Sequence, residues 1–210
     1  MPKEHKLIKV GIIGATGYAG GELARLLAGH RKAEIKWYGS KKHVNKKYYE
    51  VYQNFFQITD SACIDDNMEE LADMVDLIFT ATPQGFCSSS VSENILKKTK
   101  VIDLSADFRF RNLSTFEEWY KIRNNNLQLA KQSVYGLCEI NRGLIKDARL
   151  TANPGCYPTC TILSLYPLIK ENLIDPDSII ADAKSGASGA GRSNLQDNLF
   201  CEVNENIKAY

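Results

Sequence analysis

The chain has 210 residues, 44% hydrophobic and 24% charged, with a formal net charge of +1 at pH 7. That length suits one large domain or one and a half, and the composition is that of an ordinary globular protein, neither disordered nor fibrous. Interspersed acids and bases leave no electrostatic footprint for nucleic acid or an anionic membrane, and no apolar run reaches bilayer length.

The opening residues 1–9 are charged and lack the apolar core of a signal peptide, which predicts a cytosolic protein. Residues 7–13 are a β-rich apolar run entering a glycine-rich turn. Residues 22–28 then carry Leu23, Leu26 and Leu27 at helical spacing before Gly29. A second strand is expected at 34–38, ending in Gly39-Ser40, and a third at 75–80, continuous and apolar as inside a parallel sheet. A helical stretch at 91–97 leads to a fourth strand at 100–104. Residues 111–131, rich in Asn, Gln and aromatics, read as a helix-and-loop excursion, and 149–152 as a fifth strand. This alternation predicts an α/β fold with a doubly wound parallel sheet. A second section opens near Asn153, with an apolar stretch at 162–169, a strand at 179–183 and a glycine-rich loop at 185–192; residues 198–210 show no capped terminal element.

Gly11, Gly14, Gly17 and Gly20 recur every three residues where the first strand meets the first helix. Glycine there permits a tight turn and close approach of a pyrophosphate, while the helix N-terminus offers N–H donors and a favourable dipole. The pattern also suits simple packing of helix on strand, but its place between a strand and a helix is what dinucleotide binding requires. The end of the second strand chooses the dinucleotide. An NAD site there usually carries an acid for the ribose 2′-hydroxyl, whereas this chain reads Gly39-Ser40-Lys41-Lys42, a hydroxyl and two cations suited to the 2′-phosphate of NADP(H). The basic run Lys41, Lys42, Lys46 and Lys47 thereby gains a role beyond a solvated loop.

Six cysteines, Cys63, Cys87, Cys138, Cys156, Cys160 and Cys201, lack paired CxxC spacing, which argues against a metal site, and a reducing compartment argues against disulfides. Cys156 follows Pro154-Gly155 and opens a stretch with Pro158 in its first turn, which puts it at a helix N-terminus, where thiolate is favoured over thiol. The buried apolar role fits Cys63 and Cys160 better. A nicotinamide cofactor and a nucleophilic thiol imply acyl-level chemistry. The thiolate attacks an activated acyl group, hydride reduces the thioester, and the product is an aldehyde.

Five motifs occur in order: Gly14-Ala-Thr-Gly-Tyr-Ala-Gly20, Val101-Ile-Asp-Leu-Ser-Ala-Asp-Phe-Arg109, Tyr135-Gly-Leu with Glu139, Asn153-Pro-Gly-Cys-Tyr-Pro-Thr159, and Ser185-Gly-Ala-Ser-Gly-Ala-Gly-Arg192. Together they resemble the N-acetyl-γ-glutamyl-phosphate reductase family across essentially the whole chain. The resemblance implies NADPH-dependent reduction of N-acetyl-glutamyl 5-phosphate to the semialdehyde, a step of arginine biosynthesis, with Cys156 as the catalytic nucleophile. It implies that Gly14, Thr16, Gly17, Tyr18, Ala19 and Gly20 line the cofactor, that Ser40 and Lys41 approach its 2′-phosphate, and that Ser188 and Gly189 lie near the nicotinamide. Arg109 is the candidate for the substrate phosphate, its guanidinium matching phosphate oxygens in a fork; an ion pair with Asp103 or Asp107 is the competing role. Cys138 stands where members commonly have proline.

The resemblance further implies a Rossmann-type dinucleotide-binding domain over 1–153 and, over 154–210, the beginning of a second α/β domain like that of glyceraldehyde-phosphate dehydrogenase. The full-length protein is expected to be a homo-oligomer, dimer or tetramer, with a small-molecule acyl phosphate as substrate and neither nucleic acid nor membrane as partner. Proton transfer needs a partner, usually histidine near neutral pH. His5, His30 and His43 each have a bland role away from Cys156, so the acid/base group is expected beyond Tyr210 and the chain alone is expected to be inactive. Aspartate-semialdehyde dehydrogenase, a lysine-pathway homologue and a non-catalytic NADP-binding module are the alternatives.

Overall fold

The computed structural model describes residues 6–124, 126–192 and 199–207. Its strands and helices run β1 (Ile8–Ile13), α1 (Tyr18–Ala28), β2 (Ala33–Gly39), α2 (Tyr48–Val51), β3 (Cys63–Ile64), α3 (Met68–Leu71) and β4 (Leu77–Thr80). They continue with α4 (Phe86–Ser90), α5 (Glu93–Lys98), β5 (Lys100–Asp103), α6 (Leu113–Tyr120), α7 (Leu127–Gln132), β6 (Val134–Tyr135), α8 (Cys138–Asp147) and β7 (Leu150–Ala152). After the sheet come α9 (Cys156–Lys170) and α10 (Phe200–Val203).

The strands form one sheet in the order β3-β2-β1-β4-β5-β7-β6, parallel at every pairing. Strand side chains alternate between faces, so β1 feeds two cores. Val10 and Ile12 join Ala24, Tyr38, Tyr48, Phe55 and Cys63 on one side. Ile13 joins Trp37, Ile78, Val91, Ile95, Val101 and Leu150 on the other. Cover on both faces is why β4 reads as a continuous apolar run, with Ile78 in one core and Leu77 and Phe79 against the other. The order reverses between β1 and β4, creating the crevice at the carboxyl ends of the strands where open α/β sheets bind ligands.

Helix α1 begins four residues before its apolar pattern does. Gly20 packs on the Gly14 and Ala15 backbone and Gly21 on the Tyr52 ring, so two positions of its buried face carry no side chain to announce it. Leu23 and Leu27 pack into the core, but Leu26 is exposed. The helix expected at 91–97 is α5, which starts two residues later because Ser92 caps it, accepting from the Ile95 amide at 3.2 Å. The excursion at 111–131 holds α6 and α7.

The strand expected at 179–183 is corrected: that segment has no partner strand among the described residues, and Ile180 is almost fully exposed. Without a neighbouring ladder to receive its amides and carbonyls, β propensity alone makes no strand. The segment 198–210 contains the single turn α10, while residues 208–210, like His5, lie outside the described residues.

Candidate active site

The turn after β1 is held by close backbone contacts. Gly14 has φ +73°, a left-handed conformation, and a Cβ there would strike the Ala81 carbonyl, with the Ala81 carbonyl carbon at 2.9 Å. A Cβ on Gly20 would strike the Gly14 carbonyl oxygen. Gly17 is different. It caps α1 in extended conformation, and a Cβ there would lie 3.5 Å from the Gly14 oxygen, an ordinary contact. Among the described residues beyond its chain neighbours no side chain comes within 4 Å of that position, and α1 starts with no side-chain cap for its first amides. This cradle fits a pyrophosphate.

Two tyrosines fasten the turn from below. Tyr48 Oη donates to the Ala15 carbonyl at 2.8 Å, and Tyr52 Oη to the Gly17 carbonyl at 2.7 Å. Burial pushes the Tyr48 phenol far above its usual range, so it stays a neutral donor. Neither residue was assigned a role from the sequence.

Ser40, buried at the end of β2, has its hydroxyl 2.8 Å from that of Thr16 and 3.5 Å from His43 Nδ1. Burial, and then the cations of Lys46, Arg192 and Lys42, hold the His43 imidazolium below its usual pKa. A concentration of positive charge around a buried hydroxyl fits the 2′-phosphate of NADP(H). Lys41 is exposed, its Nζ 5.4 Å over the Phe86 ring. Tyr18 and Ala19 open α1 at the same turn. The loop with Ser188 and Gly189 is exposed, and it reaches the turn through Arg192, whose guanidinium lies 5.6 Å over the Tyr52 ring and donates to the Thr16 carbonyl at 3.3 Å.

Cys156 opens α9 behind Gly155, and its side chain is exposed. It follows β7 on the same sheet edge as the glycine turn, three strand spacings or about 14 Å across the sheet from β1. Arg109 fixes the approach to it. Its Nε donates to the Asn153 carbonyl and its Nη2 to the Leu104 carbonyl, both at 2.8 Å. A Cβ on Gly155 would lie 3.1 Å from Arg109 Nη1, so the absent side chain leaves room for that nitrogen at the mouth of α9. Among the described residues Arg109 forms no ion pair with Asp103 or Asp107. Asp107 instead accepts from the Gly85 and Ser88 amides at 2.7 and 2.8 Å, and Asp103 from Thr80 Oγ1 and Ser105 Oγ, both at 2.7 Å.

Cys63 and Cys87 are buried, and burial pushes both thiols up. Cys160, expected to be buried, is exposed instead, because no residue of α9 is buried among the described residues. His30 Nδ1 accepts from the Lys32 amide, and His43 sits beside Ser40.

Sequence reasoning missed one acid. It found none at the end of β2, yet Asp66, two residues beyond β3, brings its Oδ1 to 2.6 Å from where a Gly39 Cβ would stand.

Known proteins are similar to this chain over most of its length. Residues 9–148 match the semialdehyde dehydrogenase NAD-binding domain, and residues 156–210 the semialdehyde dehydrogenase dimerisation domain. N-acetyl-gamma-glutamyl-phosphate reductases from Lachnoclostridium phytofermentans and Campylobacter jejuni are 66% and 55% identical over 97% of the chain. The chain spans 59% and 58% of their respective lengths. The crystal structure of aspartate semialdehyde dehydrogenase II from Vibrio cholerae, complexed with ASA, aligns with TM-score 0.56 at 17% identity, over 79% of this chain and 47% of the other, a likeness of fold.

Proposed function

The chain belongs to the semialdehyde dehydrogenase family through its NAD-binding domain, and from that premise we propose that it catalyses NADPH-dependent reduction of N-acetyl-glutamyl 5-phosphate to the 5-semialdehyde and phosphate. The observation that carries this reading is an exposed Cys156 at the head of a 15-residue helix, on the sheet edge that also holds the glycine cradle.

In this reading Sγ of Cys156 attacks the acyl carbon, the carbon–oxygen bond to phosphate breaks, and phosphate leaves with the bonding pair. NADPH held by these residues would supply a hydride to the thioester carbon, leaving a tetrahedral alkoxide. Its carbon–sulfur bond then breaks, releasing aldehyde and returning the thiolate. Arg109 keeps the Cys156 loop in register through the two carbonyls, and its Nη1 is the group nearest the mouth of α9 for a departing phosphate. Gly14, Thr16, Gly17, Tyr18, Ala19 and Gly20 take the pyrophosphate, Ser40 and Lys41 the 2′-phosphate, and Ser188 and Gly189 approach the nicotinamide.

Residues 1–153 act as the dinucleotide-binding domain and 154–210 begin the catalytic and dimerisation domain, which makes a homo-oligomer the working form. No helix of the described residues is long and apolar enough to cross a membrane. A charged acyl phosphate does not cross a bilayer, so the enzyme shares the cytosol with its substrate.

The full-length protein should reduce NADP with N-acetyl-glutamate semialdehyde only when inorganic phosphate is present, at least roughly tenfold faster than with aspartate semialdehyde. A preference for aspartate semialdehyde, or turnover independent of phosphate, refutes the reading. Replacing Lys41 and Lys42 by alanine should raise the NADPH dissociation constant roughly ten- to hundredfold and leave that of NADH within about threefold, as expected of charge-assisted contacts to a phosphate. Equal losses for both cofactors in a fluorescence titration would remove the 2′-phosphate assignment.

A further inference from the structure

Backbone hydrogen bonds fold the segment after β2 back over the end of that strand. The His43 amide donates to the Ser40 carbonyl at 3.4 Å and the Lys46 amide to the His43 carbonyl at 3.0 Å. The Asn45 amide donates to the Cys63 carbonyl at 2.9 Å and the Cys63 amide to the Lys46 carbonyl at 2.8 Å, which ties the segment to β3. The imidazole is thereby held beside a pair of hydroxyls. Ser40 Oγ lies 2.8 Å from Thr16 Oγ1 and 3.5 Å from His43 Nδ1, and the second distance is at the limit of a hydrogen bond. The ring faces Ser40 without being committed to it, and it is half-buried rather than enclosed.

The charges that act on the ring are cations. Lys42 and Lys46 come from its own loop, and Arg192 comes from the loop at 185–192, which reaches the Thr16 carbonyl. Among the described residues none of these cations forms an ion pair with an acid. Burial, and then these cations, disfavour protonation of His43 in the free protein. An anion placed against Ser40 reverses that balance, because it attracts the imidazolium, in which Nδ1 is a donor whichever nitrogen carries the proton of the neutral ring.

We propose that His43 is a cofactor-specificity residue, which takes up a proton when the 2′-phosphate of NADP(H) binds at Ser40 and donates a charge-assisted hydrogen bond to it. The inference rests on the 2′-phosphate reading above and adds a proton that NAD(H), with a hydroxyl in that place, does not call for. The proton passes from solvent to the imidazole, and no covalent bond forms. The His43 pKa is lowered in the free protein and raised in the complex, so between those two values the complex holds more protons and NADP affinity rises as pH falls. The phosphate works in the opposite sense. Its second ionisation lies near about pH 6, and lysine and arginine alone would favour the dianion and release protons on binding.

The test is isothermal titration calorimetry of the full-length protein with NADP and with NAD, at about pH 7.5 in two buffers of different ionisation enthalpy, which counts the protons bound with the cofactor. Wild type should take up roughly 0.3–1 proton with NADP and none with NAD, and His43→Gln should take up none with either. Between about pH 8.5 and about pH 6.5 the NADP affinity of wild type should gain up to roughly tenfold on that of His43→Gln. Should His43→Gln fail to fold, His43→Asn gives the same readout. Proton release or no exchange with NADP in wild type, uptake that survives in His43→Gln, or equal uptake with NAD each overturn the proposal while leaving the 2′-phosphate reading intact. A wild-type protein that binds NADP no better than NAD overturns the 2′-phosphate reading, and this inference with it.

Discussion

Replacing Cys156 with alanine in the full-length protein should abolish phosphate-dependent turnover, a loss of roughly 10⁴-fold or more, while NADPH binds within about twofold of wild type. The magnitude follows from removing the only atom that forms the covalent intermediate. Cofactor affinity survives because the glycine cradle, Ser40 and Lys41 belong to strands and loops on the other side of the crevice, held by Tyr48 and Tyr52 rather than by α9. Limited iodoacetamide labelling gives an independent check. Cys138, Cys156, Cys160 and Cys201 are all exposed, so exposure alone predicts labelling at all four. Only the position at the head of α9 singles out Cys156, and preferential labelling of Cys138, Cys160 or Cys201 would move the nucleophile elsewhere.

The parts of this fold that were legible in the sequence are those where one local rule decides. β1, β4, β5 and β7 lie inside the sheet, each with neighbours on both sides, and each carries enough apolar residues in a short span to mark a strand. The cofactor turn was legible because Gly14 and Gly20 are demanded by backbone contacts only a few residues away. Cys156 was legible because Gly155 and Pro158 mark a helix start on either side of it.

What escaped depends on residues distant in the chain. β3 and β6 are two residues each, too short for any period to register, and both exist because a neighbouring strand offers a ladder. Asp66 escaped for the same reason: its place beside Gly39 follows from the β2–β3 register, which composition does not encode. The end of β2 itself carries no acid, and Asp66 comes beside it from the chain leaving β3. Arg109 was placed near the reacting centre, but its bonds to the Asn153 and Leu104 carbonyls, in preference to the acids nearby, depend on how β5 and β7 bring their ends together. The segment 179–183 failed in the opposite sense, with strand-like composition and no neighbour to pair with.

The glycines of the cofactor turn should separate into two classes under substitution, although the sequence presents them as one repeat. Gly14→Ala forces an L side chain into φ +73° and drives its Cβ into the Ala81 backbone, which has no flexible side chain to yield. Left-handed strain costs about 1–2 kcal/mol and overpacking about 1–3, so the full-length protein should lose roughly 2–5 kcal/mol. For a domain of this size that is a fall of roughly 5–15 °C in Tm, read by thermal melting. Gly17→Ala meets only the Gly14 oxygen at 3.5 Å and should cost less than about 1 kcal/mol, the difference between glycine and alanine as a helix cap. Its loss should appear instead in cofactor affinity, roughly tenfold or more, because the methyl occupies the space left for the pyrophosphate. Gly143→Ala is the control. It lies within α8 with nothing within 4 Å of its Cβ position, so alanine should stabilise by about 0.5–1 kcal/mol through helix propensity. If Gly17→Ala melted as low as Gly14→Ala while binding NADPH normally, the open space over Gly17 would be a packing feature of the turn and not the seat of a phosphate.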